Sequence, residues 1–379
     1  MNAGQRGRPP VVIVQPQVPH YRVDFFRRVA AGLQRPLRII HGTRAAGDSL
    51  PDAVIGGDVQ QDAVPWSRLP LPGRQPSLRG LWRAVTRQRP WTLILPANPN
   101  YLGVHLLWAW ALVARVRVLG WGQLLGADAR PWVLRLKLAW IRAFAGFFTY
   151  TAEEAALARR HGCGSRVRSL DNGLAPRPAL PADAAQVHAD GPFIHCARLE
   201  PKNRPELVLR AWCAYRTQGG RRALQVIGDG SLRPALEALV ADLPLRSELR
   251  LHGAVYEPER VEALIAGSFA MIHPSGVGLS IATAFQQGCP LIACADPRRH
   301  MPEFWLWREG LTGWGWDEQG TDAAASLAEV LRRADATGLP RYRGMRAACR
   351  HASSRASTVR MAAQLLAGLS ATREREECR

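Results

Sequence analysis

Acidic residues are scarce in this sequence. Its 379 residues hold 31 Asp and Glu against 50 Lys and Arg, a formal net charge of +19. Up to Asp190 there are 25 basic and 11 acidic residues, and after it 25 and 20, so the excess sits in the first half. Such a balance suits phosphodiesters, anionic head groups or pyrophosphate-linked substrates. Long apolar runs are also missing. The stretch from Tyr101 to Ala114 is interrupted by His105 and stops at Arg115, short of the roughly 20 apolar residues that span a bilayer, so no transmembrane helix is expected. The opening MNAGQRGRPP has no long apolar segment or small-residue cleavage site, and the chain is expected in the cytoplasm. Cysteine is sparse: seven scattered residues, an odd number without a C-x-x-C pair. That excludes a disulfide framework and reads as free thiols. A nucleic-acid partner is not expected, because no binding module appears and the 13 tryptophans lie mostly in apolar segments that read as core.

At this length, with 47% hydrophobic residues, two cores are the natural expectation. Val11 to Val14 is a continuous β-branched run bounded by prolines, the mark of a strand buried on both faces of a parallel sheet. Residues 24–33 follow with helical spacing of Phe25, Phe26, Val29 and Leu33, and apolar runs at 37–40, 92–95, 116–119 and 147–149 alternate with helix-like stretches. Residues 176–191, rich in Pro, Ala and Asp, break the rhythm and read as a linker. Beyond it the alternation resumes, with strands expected at 193–196, 223–227, 249–252, 269–273 and 291–293 and helices at 205–216 and 231–241. The expected organisation is an N-terminal Rossmann-like domain at 1–175, the linker, a C-terminal Rossmann-like domain at 192–350, and a helix with a charged tail at 351–379.

In doubly wound sheets, ligands sit outside the carboxyl ends of the strands, which directs attention to the loops there. Arg198 and Lys202 follow the strand at 193–196 and can neutralise a diphosphate that gains charge as a bond breaks. Gly276, Gly278, Leu279 and Ser280 lie between a strand ending near His273 and a helix expected at 279–287, where unpaired backbone N–H groups favour an anion. Each feature alone is also met in solvated charges and ordinary strand-to-helix turns. Ile227-Gly228-Asp229-Gly230 reads as a tight structural turn.

The blocks HCARLEPKNRPELVLRAW (195–212), LQVIGDGSLRPAL (224–236), LRLHGAVYEPERVEALI (249–265), MIHPSGVGLSIATAFQQGCPLIA (271–293) and HMPEF (300–304) occur in an order that resembles the family 4 glycosyltransferases of the GT-B fold. QPQVPHYRVDFF (15–26), GWGQ (120–123) and SLDNGL (169–174) are similar to the same family less distinctively. The resemblance implies two Rossmann-like doubly wound parallel-sheet domains facing across a cleft. It further implies retaining transfer from a nucleotide diphosphate sugar, without a bound metal or cofactor, to a saccharide or lipid-linked acceptor in cell-surface polysaccharide synthesis. It assigns Arg198, Lys202, Gly276, Gly278, Leu279, Ser280, Thr283 and Glu303 to the donor side, and His20, Tyr21 and Gln123 to the acceptor side. No Asp-x-Asp pair occurs, which agrees with a cationic diphosphate site.

Three positions depart from the family. Ser275 and Thr283 occupy the places of a glutamate pair that contacts the donor, and a hydroxyl offers a weaker, neutral contact than a carboxylate. Gln123 stands where relatives carry histidine and cannot shuttle a proton near neutral pH. The spacing of Arg198 and Lys202 is one residue short. A catalytically degenerate homologue acting as a binding or scaffold protein is the alternative these departures raise. Around 130–148, Trp132, Leu136 and Trp140 share one helical face, and Arg135 and Arg142 another. That pattern fits either packing on the sheet or contact with an anionic membrane.

Overall fold

The structure, a computed structural model, describes residues 7–43, 52–68, 76–78, 80–98, 101–124, 131–177, 189–241, 246–318 and 322–377. Most of the expected linker, 178–188, lies outside the described residues, as does Cys378. The chain divides into two compact units, one comprising Met1–Ala175 with Ser357–Arg379 and the other Pro176–Ala356. No helix among the described residues is long and apolar enough to cross a membrane.

The first unit contains strands β1 (Val11–Gln15), β2 (Leu37–Gly42), β3 (Val59–Val64), β6 (Thr92–Pro96), β7 (Arg117–Trp121), β8 (Gly146–Thr149) and β9 (Val167–Ser169), while β4 (Trp66–Arg68) and β5 (Pro76–Leu78) form a separate antiparallel pair. The seven-stranded sheet is parallel throughout, in the order β3-β2-β1-β6-β7-β8-β9. Val11 to Val14 are fully buried, as a strand covered on both faces requires. The pleat divides them: Val12 and Val14 join the core beneath the helices Leu102–Val113 and Pro131–Arg142. Val11 and Ile13 meet Phe25, Phe26 and Val29 of the helix Val23–Gly32, together with Met361, Leu365 and Leu369 of the helix Thr358–Glu377.

The second unit has six parallel strands, β10 (Phe193–Cys196), β11 (Leu224–Ile227), β12 (Leu249–Gly253), β13 (Ala270–His273), β14 (Leu291–Cys294) and β15 (Gly313–Trp316), ordered β12-β11-β10-β13-β14-β15. Trp212 and Tyr215 from the helix Pro205–Thr217 fill its core with Phe269, Leu327 and Leu331. Both sheets start in the middle, extend one way and then resume on the other side of the first strand, the Rossmann order.

Two expectations are corrected. Trp82 and Trp132 are exposed, so not all tryptophans belong to the core. On the helix Pro131–Arg142 the fully buried side chains are Leu138 and Ile141, whereas Trp132 and Leu136 face outward and Trp140 is only half-buried, against His105 and Phe144. Leu138 and Ile141 join the buried core there, Trp140 packs against it in part, and Trp132 and Leu136 of the stripe do not form the sheet-facing side.

Candidate functional site

In the second sheet the order reverses between β10 and β13, which opens a crevice at their carboxyl ends. The loop after β10 carries Arg198 and Lys202, both exposed. Its backbone is anchored on two sides. Toward β11, the Leu199 N–H donates to Asp229 O at 2.9 Å and the Leu232 N–H to Leu199 O at 3.0 Å. Glu200 accepts from the Ser231 hydroxyl at 2.7 Å and its N–H at 3.1 Å, contacts that hold its carboxyl below the ordinary range. Gly228 is required by this approach, because a Cβ there would lie 1.9 Å from Ala197 O. The turn 228–230 is thus structural.

Toward β13, the ties are denser. The Ser275 hydroxyl donates to Lys202 O at 2.5 Å, and the buried Asn203 amide donates to Arg198 O at 2.6 Å. Gly276 has φ +71, and its position lies so close to Asn203 that a Cβ would sit 2.8 Å from Oδ1. A third loop closes the set: the Gly276 N–H donates to Arg299 O and the Met301 N–H to Val277 O, each at 2.8 Å. His300 Nε2 donates to Cys294 O at 2.8 Å, which leaves Nδ1 to accept the Val277 N–H at 3.3 Å. Burial pushes the His300 imidazole down to about 4, so it is neutral near pH 7. Arg198, Lys202 and Gly276 are therefore carried on backbone fixed by hydrogen bonds, the condition for a preorganised anion site.

Gly278 and Leu279 precede the helix Ser280–Gln286 and are half-buried with Ser280 and Thr283. The helix spans two turns, slightly shorter than expected, and the half-exposed Met301 lies over Gly278. Glu303 is buried in a 3-10 turn, Pro302–Leu306. Below the crevice His195 and His273 meet edge to face at 5.7 Å. Burial depresses them to about 4 and about 3, so neither adds positive charge at neutral pH. Ser275 is nearly buried and its hydroxyl is committed to Lys202 O.

In the first unit the acceptor-side candidates share the carboxyl end of the sheet. His20 and Tyr21 lie in a 3-10 turn, His20–Arg22, after β1, with their rings 5.7 Å apart. Gln123 follows β7, two strands away in the sheet. Between them the buried Arg22 reaches Asn172, the Met361 sulfur at 3.0 Å and the face of Trp121 at 5.2 Å. The Gln123 loop is held from two sides: Lys137 Nζ donates to Gln123 O at 2.8 Å, and Glu154 accepts from the Leu124 N–H at 2.7 Å and the Tyr150 N–H at 3.1 Å. Burial lowers Lys137, and the nearby Glu154 charge opposes that shift.

Residues 192–333 match the family described as glycosyl transferases, group 1. No curated protein matches the chain. Among solved structures, the chain is similar to HepE from Anabaena in complex with UDP, at 14% identity over 96% of this chain and 100% of that one, with a TM-score of 0.67. Sucrose-phosphate synthase from Thermosynechococcus elongatus aligns at 16% identity over 94% and 97% of the two chains, TM-score 0.67. The pneumococcal O-GlcNAc transferase GtfA in complex with UDP and GlcNAc aligns at 10% over 97% and 99%, TM-score 0.66. The chain has the two-domain GT-B fold, and its second unit carries a glycosyl transferases group 1 domain.

Proposed function

We propose that this protein transfers a sugar from a nucleoside diphosphate sugar to a saccharide or lipid-linked acceptor in cell-surface polysaccharide synthesis, on the cytoplasmic side of the membrane and with retention of configuration. The observation that carries the reading is the anchored crevice of the second unit. Arg198 and Lys202 stand there on a loop tied to Ser275 and, through Asn203, packed against Gly276. As the glycosyl bond breaks, negative charge grows on the diphosphate, and one guanidinium and one ammonium cation with the N–H groups at Gly278, Leu279 and Ser280 stabilise it without reorganisation. In this reading Thr283 and the buried Glu303 line the donor side, and His20, Tyr21 and Gln123 the acceptor side. UDP in the solved complexes of HepE and GtfA supports a uridine donor. Metal independence rests on these cations and on the absence of an Asp-x-Asp pair.

One observation favours a second reading, a non-catalytic homologue. Ser275, at a position where the family carries a donor-binding glutamate, is turned into the loop contact with Lys202. Thermal unfolding with a panel of nucleoside diphosphates and their sugar conjugates separates the two, since a ligand that binds only the folded state raises the midpoint by mass action. A shift with one donor, lost in Arg198→Ala and Lys202→Ala, supports transfer. No shift at millimolar concentrations refutes it and favours the scaffold.

A further inference from the structure

The helix Leu102–Val113 contains no charged residue. Val104, Leu107 and Ala111 bury one side in the core, but the other side presents Leu106, Leu112 and Val113 at 54%, 53% and 86% exposure. A helix apolar all round belongs in a core or against an apolar phase, and here one side meets solvent. Its neighbours extend the feature. Trp82, on the helix Leu81–Thr86, is exposed and packs edge-on against Trp110 at 6.0 Å. On the other flank, Trp140 meets His105 at 5.4 Å, and the same helix carries the exposed Trp132 and Leu136. The three helices form one layer whose outer face carries these exposed apolar side chains.

Charge completes the pattern. From Ala63 to Ala152 the sequence holds 12 Lys and Arg and a single acid, Asp128. Arg83, Arg87, Arg115, Arg135 and Arg142 are exposed on these helices or at their ends. Aromatic and aliphatic tips set among arginines, with Glu154 beside Lys137 as an acid at the margin, match the interface of an anionic bilayer: the apolar tips enter the acyl boundary and the guanidinium groups stay at the phosphates. A second copy of the chain would bring the same arginines face to face across an isologous contact, which like-charge repulsion disfavours. We propose that this helical layer docks the protein on an anionic lipid surface, with the helix Leu102–Val113 at the centre of the contact. The inference stands independently of the transferase reading.

Flotation of the full chain with vesicles of phosphatidylcholine alone, or of an equal mixture with phosphatidylglycerol, tests it. The protein is expected to float with the mixed vesicles, to stay behind with phosphatidylcholine, and to be released as salt rises. Leu106→Glu combined with Leu112→Glu should lower the partition by at least about tenfold, and Arg115→Gln by about fivefold, the weight of one charge near such a surface. Tyr256→Glu, an exposed aromatic of the second unit, should leave it unchanged. Thermal midpoints equal to that of the parent exclude unfolding as the cause. The proposal is overturned if the mixed vesicles capture nothing, if the leucine pair floats like the parent, or if sedimentation shows a dimer that the leucine pair abolishes while vesicle binding is absent.

Discussion

Replacing Gly276 by alanine tests whether the loop over the crevice is built around its missing side chain. At φ +71, a non-glycine residue costs about 1–2 kcal/mol. The new Cβ would also fall 2.8 Å from Asn203 Oδ1 and 3.4 Å from Lys202 O. Asn203 is buried, so it can relieve the contact only by weakening its 2.6 Å bond to Arg198 O, a loss of about 1 kcal/mol. Together these make about 2–3 kcal/mol, which at roughly 2–4 °C per kcal/mol for a unit of this size lowers its midpoint by about 4–12 °C. Calorimetry of the full chain measures this. Asn203→Ala in the same background removes the contact and leaves the backbone strain, so the two changes should couple by about 0.5–1.5 kcal/mol. A Gly276→Ala midpoint within a degree of the parent, or strict additivity in the double variant, refutes the argument.

The paired imidazoles make stability pH-dependent. The unfolded chain binds protons at His195 below its ordinary value of 6.5, whereas the folded chain resists until about 4. The contribution is therefore complete above pH 6.5 and is lost as pH falls from there toward 4, amounting to about 2 kcal/mol between pH 7 and pH 5. Urea unfolding at the two pH values should show this loss, and His195→Gln should reduce it; an unchanged slope contradicts the assignment. Glu154→Gln keeps one acceptor oxygen where the carboxylate offers two, so of the Leu124 and Tyr150 N–H groups one retains a neutral acceptor and the other faces an amide NH2, which should cost about 1–3 kcal/mol. Under the proposed function, Glu154→Gln should also raise the apparent KM for acceptor more than that for donor, and equal effects on both would count against a positioning role.

Much of the fold was legible because parallel strands buried on both faces leave continuous apolar runs, as at Val11–Val14 and Leu291–Cys294. The edges were not. Val59–Val64 reads VQQDAV, a polar strand with only one neighbour in its sheet, and Gly313–Trp316 reads GWGW, where glycine masks the strand pattern. At the candidate site the charged and glycine positions stood out through ordered blocks. The residues that fix them did not, since His300 and Lys137 act on backbone 23 and 14 residues away in sequence, and Asn203, although it bonds Arg198 only five residues back, meets Gly276 only through the fold. Glu154 did leave a trace. Thr151-x-x-Glu154 has the form of a capping box, and the Thr151 hydroxyl does accept the Glu154 N–H. The carboxylate, however, turns to the loop that carries Gln123.

The helix Thr358–Glu377 completes the core of the first unit, packing Met361, Leu365 and Leu369 with Phe25, Phe26 and Val29. During synthesis those phenylalanines emerge early and wait for residues 361–369 while the whole second unit is made and can fold. A product that stops before Ser357 would therefore hold a complete second sheet but an uncovered apolar face in its first, the kind of surface that chaperones and proteases recognise.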